Sequence, residues 1–331
     1  MRSDMSLWNG RRVLVTGAEG FIGSHLVEHL LDEGAAVRAL VHYNPFGRWG
    51  WLQGRGEDVE IMVGDVRDGD RVSQAVSGID TVFHLAALIG IPYSYDAPES
   101  YVQTNVMGTF NVLTACRRAN VTRLIQTSTS EVYGTARAVP IGESHPLQPQ
   151  SPYSASKIGA DMLALSYHHT FGLPVSVIRP FNTYGPRQST RAIISTVLHQ
   201  LFSGSSEVRI GSGSPTRDFN FVADTVRGFT AVAQCERAVG DVVNIGSGRE
   251  ISIRDLVDLL VKISGVEARV VHDPDRLRPA GSEVERLLCD NNRAREWAGW
   301  EPEVPLEEGL RLTAQWVKEN PGPLRASVYQ V

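Results

Sequence analysis

Residues 12–23 read RVLVTGAEGFIG, and this stretch decides the fold class. A short β-branched run leads directly into Gly17, Gly20 and Gly23, and a helical pattern begins at Phe21. Strand, glycine-rich turn and helix in this order are typical of the first unit of a parallel α/β sheet, where the helix N-terminus meets a pyrophosphate. The GxxGxxG spacing between strand and helix therefore predicts a dinucleotide site.

Outward from this turn, short β-branched runs alternate with longer helical patterns. This alternation predicts an α/β fold, a doubly wound parallel sheet with helices on both faces. The predicted strands span residues 13–16, 36–41, 61–63, 81–85, 123–127 and 175–179, and the predicted helices span 21–33, 99–120 and 152–171.

The regularity weakens after Pro180, where clusters of Gly, Ser and Pro appear, and a later helical stretch spans 253–263. We therefore predict a dinucleotide-binding domain over residues 10–180, to which a segment near 221–248 returns. Residues 181–331 are predicted to form mainly a smaller C-terminal α/β domain that binds the substrate.

The composition of the 331 residues is that of a globular protein, with 42% hydrophobic and 21% charged residues, which excludes a disordered scaffold. A net charge of -5 without a dense Lys/Arg run excludes a nucleic-acid partner. No signal-peptide pattern or apolar run long enough for a membrane span occurs, so we expect a cytoplasmic protein without a membrane partner. The three scattered cysteines, Cys116, Cys235 and Cys289, form no ligand cluster, so no metal site is expected.

A Tyr–Lys pair at the start of one predicted helix is the densest chemical signal. Tyr153 and Lys157 lie four residues apart and share a helix face. An ammonium beside a phenol favours the phenolate, so we expect Lys157 to lower the pKa of Tyr153 toward that of a general base. Thr129 and Glu131 follow the fifth predicted strand, at the sheet edge where catalytic groups gather. Thr129 is expected to hydrogen-bond the hydroxyl that Tyr153 deprotonates, and Glu131 to act as a second acid or base.

The second predicted strand ends in LVHYN, residues 40–44, without an acid. A carboxylate at this position usually accepts the adenosine ribose hydroxyls of a dinucleotide. Because it is missing, and Arg38, His42 and Arg48 lie nearby, NADP stays an alternative to NAD. Asp65, after the third strand, is placed either to hydrogen-bond the adenine or to lie in a solvated turn.

A set of short segments together resembles the extended short-chain dehydrogenase/reductase superfamily, in its nucleotide-sugar epimerase/dehydratase group. The resemblance covers nearly the whole chain and implies a Rossmann-like fold. The matching segments are 16–23, 64–66, 84–87, 104–105, 108–109, 128–134, Tyr153 with Lys157, 179–182, 184–187, 217–219 and 244–248. Within the group, residues 84–104 and 276–291 resemble bacterial amino-sugar nucleotide 4,6-dehydratases of the legionaminic acid type.

The resemblance implies an NAD-dependent nucleotide-sugar 4,6-dehydratase. In this group a tyrosinate removes the C4 hydroxyl proton while hydride passes to NAD, a base takes the C5 proton, water leaves from C6, and the hydride returns to C6. Tyr153, Thr129 and Lys157 match the residues of the first step, and Glu131 matches the base. The residues expected to bind the cofactor are Gly17, Gly20, Phe21, Ile22, Gly23, His42, Asp65, Val66, Leu85, Ala86, Ala87, Thr127, Tyr153, Lys157 and Pro180.

Ser130 departs from many 4,6-dehydratases, which carry at this position an aspartate that protonates the leaving hydroxyl. The Thr-Ser-Glu run also resembles nucleotide-glucuronate decarboxylases, where a serine can hydrogen-bond the substrate carboxylate. A 4-epimerase needs only Thr129, Tyr153 and Lys157, and Glu131 would be superfluous. Decarboxylation and epimerisation stay open as alternatives, whereas the Tyr–Lys pair argues against a non-catalytic dinucleotide-binding regulator.

The implied partner is a nucleotide-diphosphate sugar, whose phosphate oxygens suit the planar fork of arginine. The predicted helices 99–120 and 152–171 resemble those of the family's dimeric four-helix bundle, which implies a homodimer. An apolar stripe on the first of them faces either a partner or the sheet, and consists of Val102, Val106, Phe110 and Leu113. The residues expected to bind the substrate are Ile89, Pro92 and Tyr93 in a loop, with Thr129, Asn182, Arg191, Val208, Ile210, Arg217 and Arg278.

Overall fold

The computed structural model describes residues 6–321, so the last ten residues of the predicted C-terminal domain and the first five of the chain lie outside the described residues. The strands are β1 Arg12–Thr16, β2 Ala36–Val41, β3 Glu60–Val63, β4 Thr81–His84, β5 Arg123–Thr127, β6 Val175–Pro180, β7 Asn182–Tyr184, β8 Glu207–Ile210, β9 Thr216–Phe221, β10 Val242–Ile245, β11 Glu250–Ser252 and β12 Arg269–His272.

The helices lie between these strands and after them. They are α1 Phe21–Asp32, α2 Gly69–Val76, α3 Ile91–Asp96, α4 Pro98–Tyr101, α5 Gly108–Ala119, α6 Pro152–Phe171, α7 Ile193–Phe202, α8 Val222–Gln234, α9 Ile253–Ser264, α10 Asn292–Ala298 and α11 Leu306–Glu319. Among the helices of residues 6–321, none is both long and apolar enough to cross a membrane.

Within residues 6–321, seven parallel strands form the central sheet in the order β3-β2-β1-β4-β5-β6-β10. The strand order reverses direction between β1 and β4, which opens a crevice for a ligand at the carboxyl ends of the strands. Strand β10 comes from the chain beyond residue 181 and pairs with β6 at the sheet edge. This architecture confirms the predicted doubly wound α/β fold.

Strand β1 shows how the sheet divides two cores. Val13 and Val15 lie in the core shared with α1 and α8, whereas Leu14 lies in the core shared with α2 and α5. Side chains alternate across a strand, so a strand that is apolar at every position is covered on both faces. Burial of these residues holds the two helical layers against the sheet and fixes the strand ends that carry the site.

Beyond β6, the chain forms two small sheets that flank the carboxyl edge of the central sheet. One contains β11, β9 and β7, and the other pairs β12 with β8 in parallel. Helices α7, α9 and α11 pack their buried faces into the same apolar core as these strands. The C-terminal half meets the segments that follow the central strands: the Tyr95 hydroxyl in α3, after β4, lies 2.6 Å from Ser282 Oγ.

The predicted helix over residues 99–120 is present but irregular. It comprises α4, a π-helical segment over Val102–Met107, and α5. The residues of its predicted apolar stripe do not all face the same surroundings. Leu113 is buried under the sheet, whereas Val102 and Phe110 are 50% and 39% exposed.

The segment after β4, which the sequence suggested as a loop, is partly helical and is a correction to that expectation. Residues Ile91–Asp96 form α3. Pro92 lies in the first turn, where its missing N–H costs nothing, and the Ser94 hydroxyl donates to the Ile91 carbonyl at 2.6 Å. These local preferences fold a segment too short to show helical periodicity.

Candidate active site

The glycine-rich turn after β1 requires glycine at two positions. Gly17 has a φ of +66°, and a Cβ there would lie 2.9 Å from Ala86 Cα after β4. A Cβ on Gly23 would lie 2.2 Å from the Gly17 carbonyl oxygen. Gly20, which has no side chain, is the N-cap of α1, and the first turn of that helix carries no acid. The N-terminus of α1 thus fits the pyrophosphate of a dinucleotide.

The predicted cofactor segment after β4 is tied to this turn by Thr16 and His84. The Thr16 hydroxyl accepts from the backbone N–H groups of Leu85 and Ala86, each at 3.1 Å, and contacts His84 Nδ1 at 2.8 Å. Burial lowers the pKa of His84 to about 3, so the ring is neutral. Its Nε2 lies 3.1 Å from Thr109 Oγ1, so the chain of contacts extends from β1 to α5.

The carboxyl ends of β2 and β3 carry a more exposed polar group. Asp65 accepts from Arg67 at 2.6 Å, and His42 Nε2 lies 3.4 Å from the same carboxylate. The hydrogen bond from Arg67 holds the pKa of Asp65 at about 2. Val66, next in the chain, is buried and packs against Gly108, where a Cβ would lie 2.8 Å from it.

Thr129, Glu131 and Tyr153 meet at the carboxyl end of β5. Thr129 caps a short 3-10 turn, Ser130–Tyr133, and its hydroxyl accepts from Glu131 N–H at 3.2 Å. Tyr153 lies in the first turn of α6, which is held by a reciprocal capping box between Ser151 and Ser154. The Tyr153 hydroxyl is hydrogen-bonded to Thr129, and the carboxylate of Glu131 is close enough to act on it electrostatically.

Burial sets the protonation of the Tyr–Lys pair. It raises the pKa of Tyr153 above its usual range, although the hydrogen bond from Thr129 opposes the shift. It lowers the pKa of Lys157 to about 8. The Lys157 ammonium donates to the Thr127 carbonyl at 2.5 Å. The expected lowering of the Tyr153 pKa is therefore wrong for this state of the chain, because desolvation of the phenol dominates its pKa.

Asp161, a residue that sequence reasoning missed, lies one turn beyond Lys157 on the same face of α6. It is fully buried and accepts from Ser128 at 2.6 Å and from Arg179 at 3.1 Å. Arg179 also donates to the Tyr133 hydroxyl at 3.0 Å. The spacing of four from Tyr153 to Lys157 to Asp161 was the signal that could have revealed it.

The predicted phosphate ligands lie on separate elements of the C-terminal half. Arg217 donates to Glu283 at 3.0 Å, and Arg278 lies 3.7 Å from the same carboxylate. Asn182 Oδ1 is buried without a hydrogen-bond partner among the described residues. Two cations and an unsatisfied amide oxygen are thus available for a polar ligand, with Glu283 as the present partner of both cations.

The remaining predicted substrate residues occupy two places. Ile89 and Tyr93 are exposed, Pro92 is half-buried, and Arg191 approaches the same segment, 3.6 Å from the Cβ position of Gly90. Val208 and Ile210 are buried in the core of the C-terminal half, so only their backbone is available to a ligand. Within residues 6–321, no three His, Cys, Asp or Glu side chains converge in a way that would hold a metal ion.

The geometry agrees with comparisons to known proteins. Residues 14–313 match the family model described as GDP-mannose 4,6 dehydratase. The chain belongs to the extended short-chain dehydrogenase/reductase family of nucleotide-sugar epimerases and dehydratases. This confirms the resemblance carried by the segments around the glycine-rich turn and the Tyr–Lys pair.

Members of this family with different activities are similar to the chain at comparable identity. A dTDP-glucose 4,6-dehydratase of Streptomyces griseus is 38% identical over 325 residues, covering 93% of this chain and 94% of the relative. A UDP-glucose 4-epimerase of Mycolicibacterium smegmatis is 35% identical over 316 residues, covering 93% and 99%. The crystal structure of the dTDP-glucose 4,6-dehydratase DesIV of Streptomyces venezuelae, with NAD bound, superposes with a TM-score of 0.85 at 32% identity, covering 95% and 99%.

Proposed function

We propose that the protein is an NAD-dependent nucleotide-sugar 4,6-dehydratase. The observation that carries the proposal is the position of Glu131 beside the Tyr153–Thr129 hydrogen bond. Epimerisation at C4 leaves the C5 proton in place, so a 4-epimerase does not need a carboxylate base at this position. A dehydratase needs such a base, because elimination of water from C6 requires that the C5 proton leave.

NAD is the proposed cofactor because the glycine-rich turn leads into the N-terminus of α1, whose first turn carries no acid, and because a related dehydratase binds it. When bound, NAD supplies a hydride acceptor for C4 and later returns the hydride to C6. The N-terminus of α1 would hold the pyrophosphate, and the segment of Leu85 to Ala87 would line the cofactor on the β4 side. Thr127 and Pro180, at the ends of β5 and β6, are proposed to border the nicotinamide half.

The first proton transfer falls to Tyr153. Its phenol must lose a proton before it can accept one from the C4 hydroxyl of the sugar. In this chain the hydrogen bond from Thr129 stabilises the phenolate. We propose that the Lys157 ammonium, one helical turn away, adds to this stabilisation when cofactor and substrate are bound. Lys157 is itself held in place by the Thr127 carbonyl.

Glu131 is the proposed base for the second proton transfer. The 4-ketone acidifies the C5 hydrogen, Glu131 takes it as a proton, and the C6 hydroxyl departs as water. Ser130 is buried beside it and offers only a hydroxyl, so it can hydrogen-bond the leaving group but is a weak acid. Protonation of that group then falls to the protonated Glu131 or to water.

Decarboxylation of a nucleotide glucuronate is a second candidate. It is favoured by Ser130 alone, because a neutral hydroxyl at this position would not repel a carboxylate at C5 of the sugar. In that reaction the C5–C6 bond of the 4-keto acid breaks, C6 leaves as carbon dioxide, C5 takes up a proton, and no water is lost. The mass of the product distinguishes the two reactions.

The nucleotide-diphosphate part of the substrate is proposed to contact Arg217, Arg278 and Asn182. Arg217 donates to Glu283 and Arg278 lies 3.7 Å from the same carboxylate, which supports the proposal that anionic oxygens fit between them. Ile89, Pro92, Tyr93 and Arg191 are proposed to border the sugar from the segment after β4, and the backbone at Val208 and Ile210 to border the nucleobase.

A homodimer is proposed from the outward face of the π-helical segment Val102–Met107, α5 and α6. Val102, Phe110 and Met162 are each at least 39% exposed on these neighbouring helices. Apolar side chains grouped in this way favour burial against a second copy. Light scattering of the purified protein would give a mass near twice the 36.3 kDa of one chain.

The first experiment is mass spectrometry of a panel of nucleotide sugars, including glucuronates and N-acetylhexosamines, after incubation with the enzyme and NAD. We expect loss of one water from one donor. Loss of carbon dioxide would replace the proposal with decarboxylation, and an unchanged mass with altered chromatography would replace it with epimerisation.

The Glu131→Gln variant tests the assignment of the base. We expect turnover to fall by roughly 100- to 10,000-fold, the usual contribution of a positioned acid or base, while oxidation at C4 persists and can be seen as NADH absorbance. Glu57→Gln, in an exposed loop, is the matched control and should retain full turnover. Full turnover in Glu131→Gln would contradict the proposal.

A further inference from the structure

A carboxylate reaches the end of β2, although the sequence places none there. It belongs to Glu19, which lies in the glycine-rich turn between Gly17 and Gly20. Its Oε1 accepts from the backbone N–H of His42 at 2.8 Å, immediately after β2. The side chain therefore crosses from the first strand–helix turn to the neighbouring strand end.

The other oxygen of this carboxylate is unsatisfied. Glu19 Oε2 is buried and has no hydrogen-bond partner among the described residues. A buried acceptor without a donor costs free energy unless a ligand supplies the donor. A ligand hydroxyl or amide N–H at this position would satisfy it.

The chain around Glu19 fixes its position. The Trp51 N–H donates to the Glu19 carbonyl at 3.2 Å, and a Cβ on Gly50 would lie 2.4 Å from that oxygen. The segment that follows β2 therefore packs directly on the glycine-rich turn. Glu19 is held from both sides, by His42 and by Trp51, as a preorganised acceptor.

We propose that Glu19 accepts a hydrogen bond from an adenosine ribose hydroxyl of NAD and excludes the 2′-phosphate of NADP. The inference rests on the proposed function, since it takes a dinucleotide to be the ligand of this turn. In parallel α/β sheets that bind dinucleotides, the ribose lies by the end of the second strand, where an acid selects the free hydroxyl. Glu19 delivers this acid from the first turn instead of from β2.

Two of the basic side chains that could favour NADP already have partners in the protein. Arg38 donates to the carbonyls of Ala75 and Ser77 at 2.8 and 2.9 Å, beside α2. His42 faces the Asp65 carboxylate at 3.4 Å. A 2′-phosphate would thus meet the Glu19 carboxylate without compensation from these two side chains.

The test is calorimetric titration of cofactor-free protein with NAD⁺ and with NADP⁺, which does not depend on any sugar reaction. We expect wild type to bind NAD⁺ at least about 100-fold more tightly than NADP⁺, and Glu19→Gln to narrow that ratio at least about tenfold. Glutamine keeps the carbonyl oxygen that accepts from His42 but loses the charge and the second acceptor. Glu33→Gln, just beyond the other end of α1, is the matched control and should leave both affinities unchanged.

Each result decides the inference. If Glu19→Gln or Glu19→Ala lowers the affinities for NAD⁺ and NADP⁺ equally and also lowers the Tm of the protein, Glu19 only holds the turn in place. The inference is then wrong. If the ratio in wild type already favours NADP⁺, the inference is also wrong, and Arg48 in the segment after β2 becomes the residue to examine. If wild type binds neither nucleotide, the proposed function itself fails together with it.

Discussion

Two Asp–Arg pairs lie near the carboxyl edge of the sheet and differ in their surroundings. Asp161 and Arg179 are 3.1 Å apart, and their side chains are 0% and 2% exposed. Asp65 and Arg67 are closer, at 2.6 Å, but their side chains are 26% and 52% exposed. The shorter pair is the weaker contributor, because water solvates both of its charges when it opens. Distance alone does not rank ion pairs.

The buried pair belongs to the region behind the reacting groups. Ser128 and Arg179 both donate to Asp161, and Arg179 reaches Tyr133, whose hydroxyl donates to Asn244 at 2.7 Å. This network connects α6, β6 and β10 beneath Lys157. The exposed pair joins Asp65 to a residue two positions further along the chain, and the contact of Asp65 with another strand end is the longer one with His42, at 3.4 Å. One pair holds elements together, and the other orders a turn.

The largest expected effect is on the buried pair. Asp161→Asn leaves the Arg179 charge buried without its counter-charge, and we expect a loss of about 3–5 kcal/mol in the free energy of unfolding. Urea denaturation followed by circular dichroism measures it. A loss below about 1 kcal/mol would erase the difference between the two pairs.

A double variant separates the charge from the packing. Arg179→Met removes the uncompensated charge, so Asp161→Asn with Arg179→Met should recover part of the stability that Asp161→Asn loses. The two side chains are in direct contact, so their effects should be non-additive by about 0.5–3 kcal/mol. Additive losses would show that the pair is not coupled.

The fold followed from local patterns in the sequence. The strand–turn–helix run at residues 12–23 and the repeated alternation after it identify a parallel sheet, because both depend on neighbours in the chain. The helix at Ile91–Asp96 and the π-helical segment at Val102–Met107 were missed, since each is too short to show a period. The direction of the apolar stripe was left open because periodicity does not identify the surface that a helix meets.

For the candidate site, too, the sequence predicts what depends on local spacing and misses contacts between distant elements. Tyr153, Lys157 and Thr129 could be predicted as site residues because their spacing or their position after a strand is visible in the chain. Asp161 was missed because its partner Arg179 lies on β6, and only the packing of α6 on that strand brings them together. Glu19 was missed for the same reason, because its contact with His42 forms between two strand ends.

The expected effect of Lys157 on stability lies between those of the two ion pairs, and it is measured as a change of stability with pH. Burial lowers its pKa to about 8 in the folded chain, against about 10.4 in the unfolded chain. Between these values the unfolded chain holds a proton that the folded chain has lost. Stability therefore rises with pH in this window, and we expect a gain of about 1 kcal/mol from pH 7.5 to 9.0 from this residue.

Lys157→Met isolates this contribution. Other groups, including Cys116, whose pKa burial raises, titrate alike in both proteins, so the difference between the two stability–pH curves reports Lys157 alone. Urea denaturation at several pH values within the window gives both curves. If the stability–pH curves of wild type and Lys157→Met run parallel, Lys157 keeps its ordinary pKa. Burial would then not change the behaviour of this charge as it does that of the Asp161–Arg179 pair.

The smallest expected effect is on the exposed pair. Asp65→Asn keeps an oxygen that can accept from the Arg67 N–H, now 2.9 Å from Asp65 Oδ1, and removes only the charge. We expect a loss below about 1 kcal/mol in the free energy of unfolding, and less in 1 M NaCl, because salt screens exposed charges. Arg67→Gln should match it, since either change opens the same pair to water. A loss near that of Asp161→Asn would show that solvent exposure does not set the strength of these pairs.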